Sequence, residues 1–489
     1  MFEKIKEWAR SFLKIIPPEQ YTFTIQSEFD EQTEAFKNKL WYDGNAYELE
    51  QFYKQTVNHT YCFWGAVPSK GREIRKIHTG LPRIIVDTLT GIVTADLNNI
   101  SLKAKTDEEI WNEIANENNI KQLVSEAVKS ALVIGDGAFK LSLDSKLSKY
   151  PIIEFISGDK VSFKYERGRL EEIIFLKEYK KRSAEYRLEE IYGKGYVKYK
   201  LFKGNSEIKL SEFEETKELS EVVYSGDFIM AVPLIISPST KIKGRGKSIY
   251  SGKIDNFDSL DEAYSQWIHA LRECRPTRYI PEVLAPRDFN TGAVIRPNPF
   301  DNQYVKIGDN MGEDARNTVD LKQPVLPVDA YLQTYITALD LCLQGIISPS
   351  TLGIDTKKID NAEAQREKEK TTLYTRQMII NALTQTLKDL VQSVFDTFNT
   401  AQEQPIYEVE CDVIFGEYAN PSFEAVVETL SNPNTPMSIE AKVEEMWGST
   451  KSEEWKAEEV KRIKEQTGII TADEPAIDAE FKVGGFIDG

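Results

Sequence analysis

The stretch Ile254-Asp255-Asn256-Phe257-Asp258-Ser259-Leu260-Asp261-Glu262-Ala263-Tyr264-Ser265-Gln266-Trp267-Ile268-His269-Ala270-Leu271 decides how the chain is read. Ile254, Phe257, Leu260, Tyr264, Ile268 and Leu271 recur at alternating steps of three and four, which is the period of one helix face. Asp255, Asp258, Asp261 and Glu262 fall on the other side. The spacing predicts an amphipathic helix within 251–274, with an apolar stripe and a carboxylate ridge. Such a ridge is most simply a solvated face; the alternative is a divalent-cation site. The helix stops at Arg275-Pro276, because proline lacks the N–H and disfavours helical backbone in the residue before it.

Downstream, residues 275–328 hold seven prolines and seven basic against seven acidic residues. That proline density predicts a loop-and-strand insert. A second, largely apolar helix is expected over 329–347, carrying Leu332, Ile336, Leu339, Leu343 and Ile346. Its only acids are Asp329 and Asp340, so burial on most sides is expected. Ser348-Pro349-Ser350-Thr351-Leu352-Gly353 has the composition of a loop. Asp360-x-x-Glu363 then caps a long helix over 360–399, lined by Leu373, Ile380, Leu383, Leu387, Leu390, Val394 and Phe398. Its almost wholly polar first turns predict a kink or a change of environment near Leu373.

Upstream, Phe2, Ile5, Trp8, Phe12 and Ile15 stand at helical spacing before Pro17-Pro18, an amphipathic segment suited to docking on this chain or a neighbour. From Glu31 to Lys149 the pattern is mostly helical, with Thr106-x-x-Glu109 as a capping box ahead of Trp111 and Ile114. The period switches to strand near Val133-Ile134-Gly135-Asp136-Gly137-Ala138-Phe139. Glycine-punctuated runs at Ile152–Ile156, Val161–Tyr165, Leu170–Tyr179, Glu185–Tyr192 and Tyr196–Phe202 predict an antiparallel meander over about 150–210. After residue 400 the pattern is of short helices, beginning at Asn420-Pro421, Ser438 and Ser452. The fold class is α+β, mainly helical.

Composition narrows the function. A chain of 489 residues with 41% hydrophobic residues has enough to build real cores, in roughly three domains. The formal charge of −17 is uneven: residues 401–489 carry 20 acidic and 7 basic side chains, a net of −13. An acidic chain gains nothing from counterion release on phosphates, so tight DNA gripping is disfavoured. The run Phe228–Ile236, broken by Pro233, is too short to span a bilayer, and no membrane partner is expected. Met1–Ile16 lacks the continuous apolar core of a secretory signal. The four cysteines (Cys62, Cys274, Cys342, Cys411) have no C-x-x-C spacing, which fits a reducing, cytoplasmic place of synthesis.

No catalytic constellation is found. Gly244-Arg245-Gly246-Lys247-Ser248 resembles the end of a phosphate loop, but that motif requires glycine at position 241, where this chain has Lys241. A structural turn is favoured over a nucleotide site. His59, His78 and His269 lack partners at metal spacing, and no G-x-S-x-G is present. No enzyme activity, cofactor or metal is expected.

The order of elements resembles the portal (head–tail connector) proteins of tailed bacteriophages, of the siphovirus kind infecting Gram-positive hosts. The resemblance covers nearly the whole chain. It is most specific at Gly246-x-Ser248 leading into the Ile254 helix and at Asp360-Asn361-Ala362-Glu363-Ala364-Gln365-Arg366-Glu367. Met437-Ser438-Ile439-Glu440 followed by Glu458-Glu459-Val460-Lys461-Arg462-Ile463 adds to it. It implies a phage portal fold assembling as a twelve-subunit ring with a central tunnel at one capsid vertex. Residues 1–240 would form the wing, 251–274 and 329–347 the stem, and 275–328 the clip. Residues 348–358 would form the tunnel loop, 360–399 the long wing helix, and 400–489 an acidic crown.

The resemblance further implies a structural, non-enzymatic protein of the virion, assembled in the host cytoplasm. Double-stranded DNA would pass through it without sequence specificity, packaged by a separate terminase and later ejected. Expected partners are eleven further copies, the terminase large subunit, a head-completion or adaptor protein, and the scaffold and major capsid proteins. The tunnel would be lined by Asp255, Asp258, Asp261 and Glu262 with Ser350, Thr351, Lys357 and Lys358. The alternative for the ridge is an outward face that keeps the stem soluble, and for Lys357-Lys358 a flank of the next helix. A nucleotide-binding enzyme using Gly244–Ser248 and a capsid-associated protein without a tunnel are the alternatives.

Overall fold

The computed structural model describes residues 31–56, 62–67, 74–144, 146–181, 184–204, 206–295, 304–308, 319–354, 362–416, 438–447 and 453–466. They divide into two units, one ending at Gly416 and the other beginning at Glu417. The first unit opens with helices α1 (Glu31–Asp43), α2 (Ala46–Thr56) and α3 (Leu81–Ala95), followed by strand β1 (Leu97–Leu102). Helices α4 (Lys105–Glu117) and α5 (Ile120–Ile134) follow. Pro82 sits in the first turn of α3, where its missing N–H costs nothing, and Ile85, Val86, Leu89 and Val93 carry the buried face. In α4, Trp111 and Ile114 are buried as their spacing predicts. The capping box is corrected: α4 starts one residue before Thr106, its N-cap is Ala104, and no side chain caps it.

Helix α5 ends where Gly135 takes a φ of 122° and hands the chain to β2 (Asp136–Ser142). Strand β2 is the middle of a three-stranded antiparallel sheet with β3 (Ile152–Ser157) on one side and β10 (Ala231–Ile235) on the other. The meander continues as a second sheet: β4 (Val161–Glu166), β5 (Arg169–Lys181), β6 (Ala184–Gly193), β7 (Tyr196–Lys203) and β8 (Ser206–Ile208), in that order. A short β9 (Val222–Val223) also pairs with β7. The five strand runs expected over 150–210 are all found. The first of them, β3, belongs to the β2 sheet and is separated from β4 by a 3₁₀ turn at Gly158–Lys160.

Helix α6 (Ile254–Glu273) and α7 (Val328–Leu343) pack as a pair around the insert. Described parts of the insert are β11 (Thr277–Pro281), β12 (Tyr304–Ile307) parallel to it, and β13 (Asp320–Lys322) antiparallel. Two expectations for α7 are corrected. It stops at Leu343, because Gly345 turns the chain with a φ of 78°. It is also buried on one side only: Ala338, Leu339, Cys342 and Leu343 are inside, while Val328, Leu332, Ile336 and Leu341 are exposed. Burial pushes the Cys342 thiol up to about 12.

Helix α8 (Ala362–Ala401) is continuous through Leu373, and its environment changes there, with Glu369, Thr372, Thr375 and Arg376 buried. The strand β14 (Cys411–Phe415) pairs antiparallel with β1, so the acidic C-terminal region begins with a strand of the first unit. The second unit contains α9 (Ile439–Trp447) and α10 (Glu453–Gln466). Ser438 Oγ accepts the Ala441 N–H at 3.1 Å, the expected cap. Lys456 joins α10 to Glu444 of α9 at 2.9 Å. The expectations for 1–16, Asn420-Pro421, Ser452 and Asp360 lie outside the described residues.

The core of the first unit is built on α8. Ile379, Leu383, Leu387, Leu390, Val391 and Val394 are fully buried, and the helix packs against α3, β10 and β14. Four of the side chains named from sequence, Leu383, Leu387, Leu390 and Val394, are central to it. Truncating one leaves a cavity as well as losing its transfer free energy. Leu387→Ala should therefore lower the unfolding free energy by about 3 kcal/mol, read from the midpoint of urea denaturation of the full chain; an unchanged midpoint would contradict this packing.

Candidate functional site

The carboxylates of α6 do not form one ridge. Asp255 is exposed and Glu262 half-buried, but Asp258 and Asp261 are buried. The Asp258 carboxylate accepts the backbone N–H groups of Phe63 at 2.7 Å and Trp64 at 3.1 Å. Asp261 accepts four hydrogen bonds: Trp64 Nε1 at 3.1 Å, His78 Nδ1 at 2.7 Å, and the Thr79 N–H and hydroxyl, each at 2.8 Å. One turn on, Ser265 Oγ accepts the Ile77 N–H at 2.9 Å. Residues 62–67 and 74–79 thus form a strap held to one face of α6 at positions i, i+3 and i+7.

The strap is itself closed by Lys76, whose ammonium donates to the carbonyls of Trp64 and Ala66, both at 2.8 Å. His78 lies against the Trp41 and Trp64 rings, with centroids 5.4 and 6.2 Å away. Its Nε2 is buried without a hydrogen-bond partner and faces Gly44, where an added Cβ would stand 3.2 Å from that nitrogen. Asp258 and Asp261 are buried with their oxygens spent on hydrogen bonds inside the chain, so they are not part of a solvated ridge. The expected ridge reduces to Asp255 and Glu262, and among the described residues no cluster has the makings of a metal site.

The other expected tunnel residues sit after α7. Ser348 to Gly353 is a turn docked on α8: the Ser348 N–H donates to Thr372 Oγ1 at 2.9 Å, and the Thr351 and Thr372 hydroxyls are 2.8 Å apart. Thr375 Oγ1 donates to the Ile346 carbonyl at 2.6 Å. Thr351 therefore spends its hydroxyl on α8, and Ser350 Oγ is buried without a partner. Lys357 and Lys358 lie outside the described residues.

Gly244–Ser248 is a lock. The Arg245 guanidinium grips both oxygens of buried Asp136, Nε at 2.8 Å and Nη2 at 2.9 Å, a bidentate pair. It also donates to the carbonyls of Gly158 at 2.8 Å and Val161 at 3.0 Å. The Gly246 N–H adds a bond to Asp136 at 2.7 Å. A Cβ on Gly246 would lie 2.0 Å from the Gly135 carbonyl oxygen, so glycine is required for the close approach of the two backbones. In a phosphate loop those N–H groups would face an anion from solvent; here a carboxylate of the chain itself takes their place.

Three groups of residues escaped the sequence reading. Asp136–Arg245 had a readable signal, since each charge is bracketed by glycines, Gly135/Gly137 and Gly244/Gly246. Arg376 of α8 holds Asp96 at 2.7 Å and also reaches the Gly416 carbonyl, tying α8 to one end of the β1–β14 pair, where Leu97 is paired with Phe415. Neither that pair nor the His78–Asp261 contact, 183 residues apart, has a local signal.

No family model matches the chain, and no curated protein matches it. Among solved structures it is similar to the neck of a native GTA particle computed with C12 symmetry. That likeness has 13% identity and a TM-score of 0.42, over 75% of this chain and 89% of the other. The neck of an empty GTA particle computed with C6 symmetry is similar at 13% identity and a TM-score of 0.41, over 75% and 90%.

Burial raises the Asp258 carboxyl above the ordinary carboxylate range, with the charges of Asp261 and Glu262 adding to the effect against the two backbone bonds. The folded chain therefore holds that proton more tightly than the unfolded one. The stabilisation is full below the unfolded carboxylate range and is lost as pH rises through the raised value. Asp258→Asn cannot titrate and loses one acceptor. Its stability deficit should be largest near pH ~4 and shrink towards neutrality; melting curves showing a deficit that grows with pH would contradict this.

Proposed function

We propose that the chain is the portal subunit of a tailed phage: a structural protein whose copies form a ring-shaped conduit for double-stranded DNA at one capsid vertex. The observation that carries this reading is the two-faced character of the α6–α7 pair. Helix α7 leaves Val328, Leu332 and Ile336 at 48%, 38% and 40% exposure, spaced i, i+4 and i+8. From Ala330 to Leu339 it has no charged residue at all. An uncharged helix face of that length is a protein contact in waiting. Helix α6 presents Asp255, Ser259, Glu262 and Gln266 outward instead.

A subunit whose apolar face meets a different surface of the next copy associates head to tail, and such contacts close into rings. The base of the pair is pinned for that task. Lys253 Nζ and Asn256 Nδ2 donate to the Leu341 carbonyl at 2.8 and 3.1 Å, and Tyr335 packs on Tyr264 and Trp267. On this reading α6 and α7 are the stem, 275–328 is the clip that receives the terminase and later the adaptor, and the ring is a dodecamer. The anchored stem and the acidic composition suit a passage for DNA. The engagement of Arg245 with Asp136 leaves the nucleotide-enzyme alternative without a phosphate cradle.

Two tests follow from the two faces of the pair. Leu332→Asp with Ile336→Asp should leave the chain folded by circular dichroism but convert rings to monomers in light scattering; intact rings would contradict the interface. Asp255→Lys with Glu262→Lys should leave rings intact while making DNA adhere in a salt-sensitive manner and stalling packaging. Normal packaging by well-formed variant rings would remove these two carboxylates from the passage.

A further inference from the structure

At the root of the stem lies a cleft of about 250 Å³ whose charge is opposite to that of the chain. It is walled by the end of α5, residues 236–237, residues 247–253, the turn at 344–346, and α8. Among the described residues its only charged lining residues are Lys247 and Lys253, with no carboxylate, in a protein that carries 78 acidic against 61 basic residues. Lys247 is exposed and makes no ion pair among the described residues. Lys253 uses one N–H on the Leu341 carbonyl, leaving two donors. The hydroxyls of Ser237 and Ser251 line the same space, and Leu132 and Met378 give it an apolar side.

We propose that this cleft binds a small phosphate monoester. Lys247 and Lys253 give the lining two positive charges, which favours a dianion, and a phosphate monoester carries close to two charges at neutral pH. Lysine and serine donors from the 247–253 segment, with Ser237 from a second one, suit a group with three acceptor oxygens. The volume exceeds what a bare phosphate fills, and the apolar side accommodates an organic body beside it. A ligand there touches the start of α6, the turn after α7, α5 and α8 at once, and so braces both stem helices against the rest of the unit. The site lies within one chain, so it stands or falls independently of ring formation.

The test is calorimetric titration of the full-length protein with phenyl phosphate, inorganic phosphate and a blunt DNA duplex. Saturable binding of phenyl phosphate is expected, with inorganic phosphate weaker and the duplex without effect. Lys247→Ala should weaken it tenfold or more, and Lys253→Met should do the same; the Lys247 side chain has no hydrogen bond or ion pair among the described residues and its backbone N–H bond to Ser237 survives the substitution, so this variant keeps the readout valid if Lys253→Met unfolds. Absence of saturable binding, or binding unchanged in Lys247→Ala, would overturn the proposal. Binding of the duplex alone, lost in the same variant, would also overturn it as a small-molecule site and assign the lysines to the nucleic-acid backbone.

Discussion

Two carboxylates buried on one face of a helix oblige the rest of the chain to come to them. An ionised carboxylate can only accept hydrogen bonds, and leaving it dry and unserved costs far more than a single contact returns. Asp258 and Asp261 are served by Phe63, Trp64, His78 and Thr79, all from a strap nearly two hundred residues earlier in the chain. The position of that strap is thereby fixed against α6, and with it α1, whose Trp41 packs on both His78 and Phe257. Removing one partner from such an arrangement leaves an uncompensated charge, so the cost of disruption exceeds the worth of any one bond.

The Asp136–Arg245 lock follows the same rule at the other end of α5. There the bidentate pair, the Gly158 and Val161 carbonyls and the Gly246 N–H bring β2, the β3–β4 turn and the segment entering α6 to a single point. Arg376 with Asp96 and Gly416 does so for α8 and the β1–β14 pair. Three ionic junctions thus fix the strap against α6, the segment entering α6 against β2, and α8 against the β1–β14 pair. Apolar packing along α8 supplies the bulk of the stability, and the junctions supply the register.

Periodicity made the long elements legible. The helix at 254–273, the strands from 152 to 203 and the apolar side of α8 all stood out, because burial on one face imposes the 3.6 or 2 residue repeat on the sequence itself. What periodicity cannot report is where a polar face goes. Asp258 and Asp261 read as a solvated ridge because burial of a carboxylate depends on donors supplied from afar. The end of α7 was overrun because Ile346 and Ile347 are buried in a turn rather than a helix. Polar composition also misleads near the start of α8, where Thr372, Thr375 and Arg376 are polar yet buried, each occupied by a neighbouring segment.

The insert between α6 and α7 has a different character from everything around it. Among its described residues only Ile280, Pro281 and Ala285 are buried, while Phe289, Leu321 and Val325 stand in solvent. Its three short strands pair with one another and with no other sheet. Little apolar area would be exposed by opening it, so its opening free energy lies well below that of the α8 core. Its three short strands thus open at lower cost than the helices that flank them, so local opening there need not disturb the packing of α6 on α7.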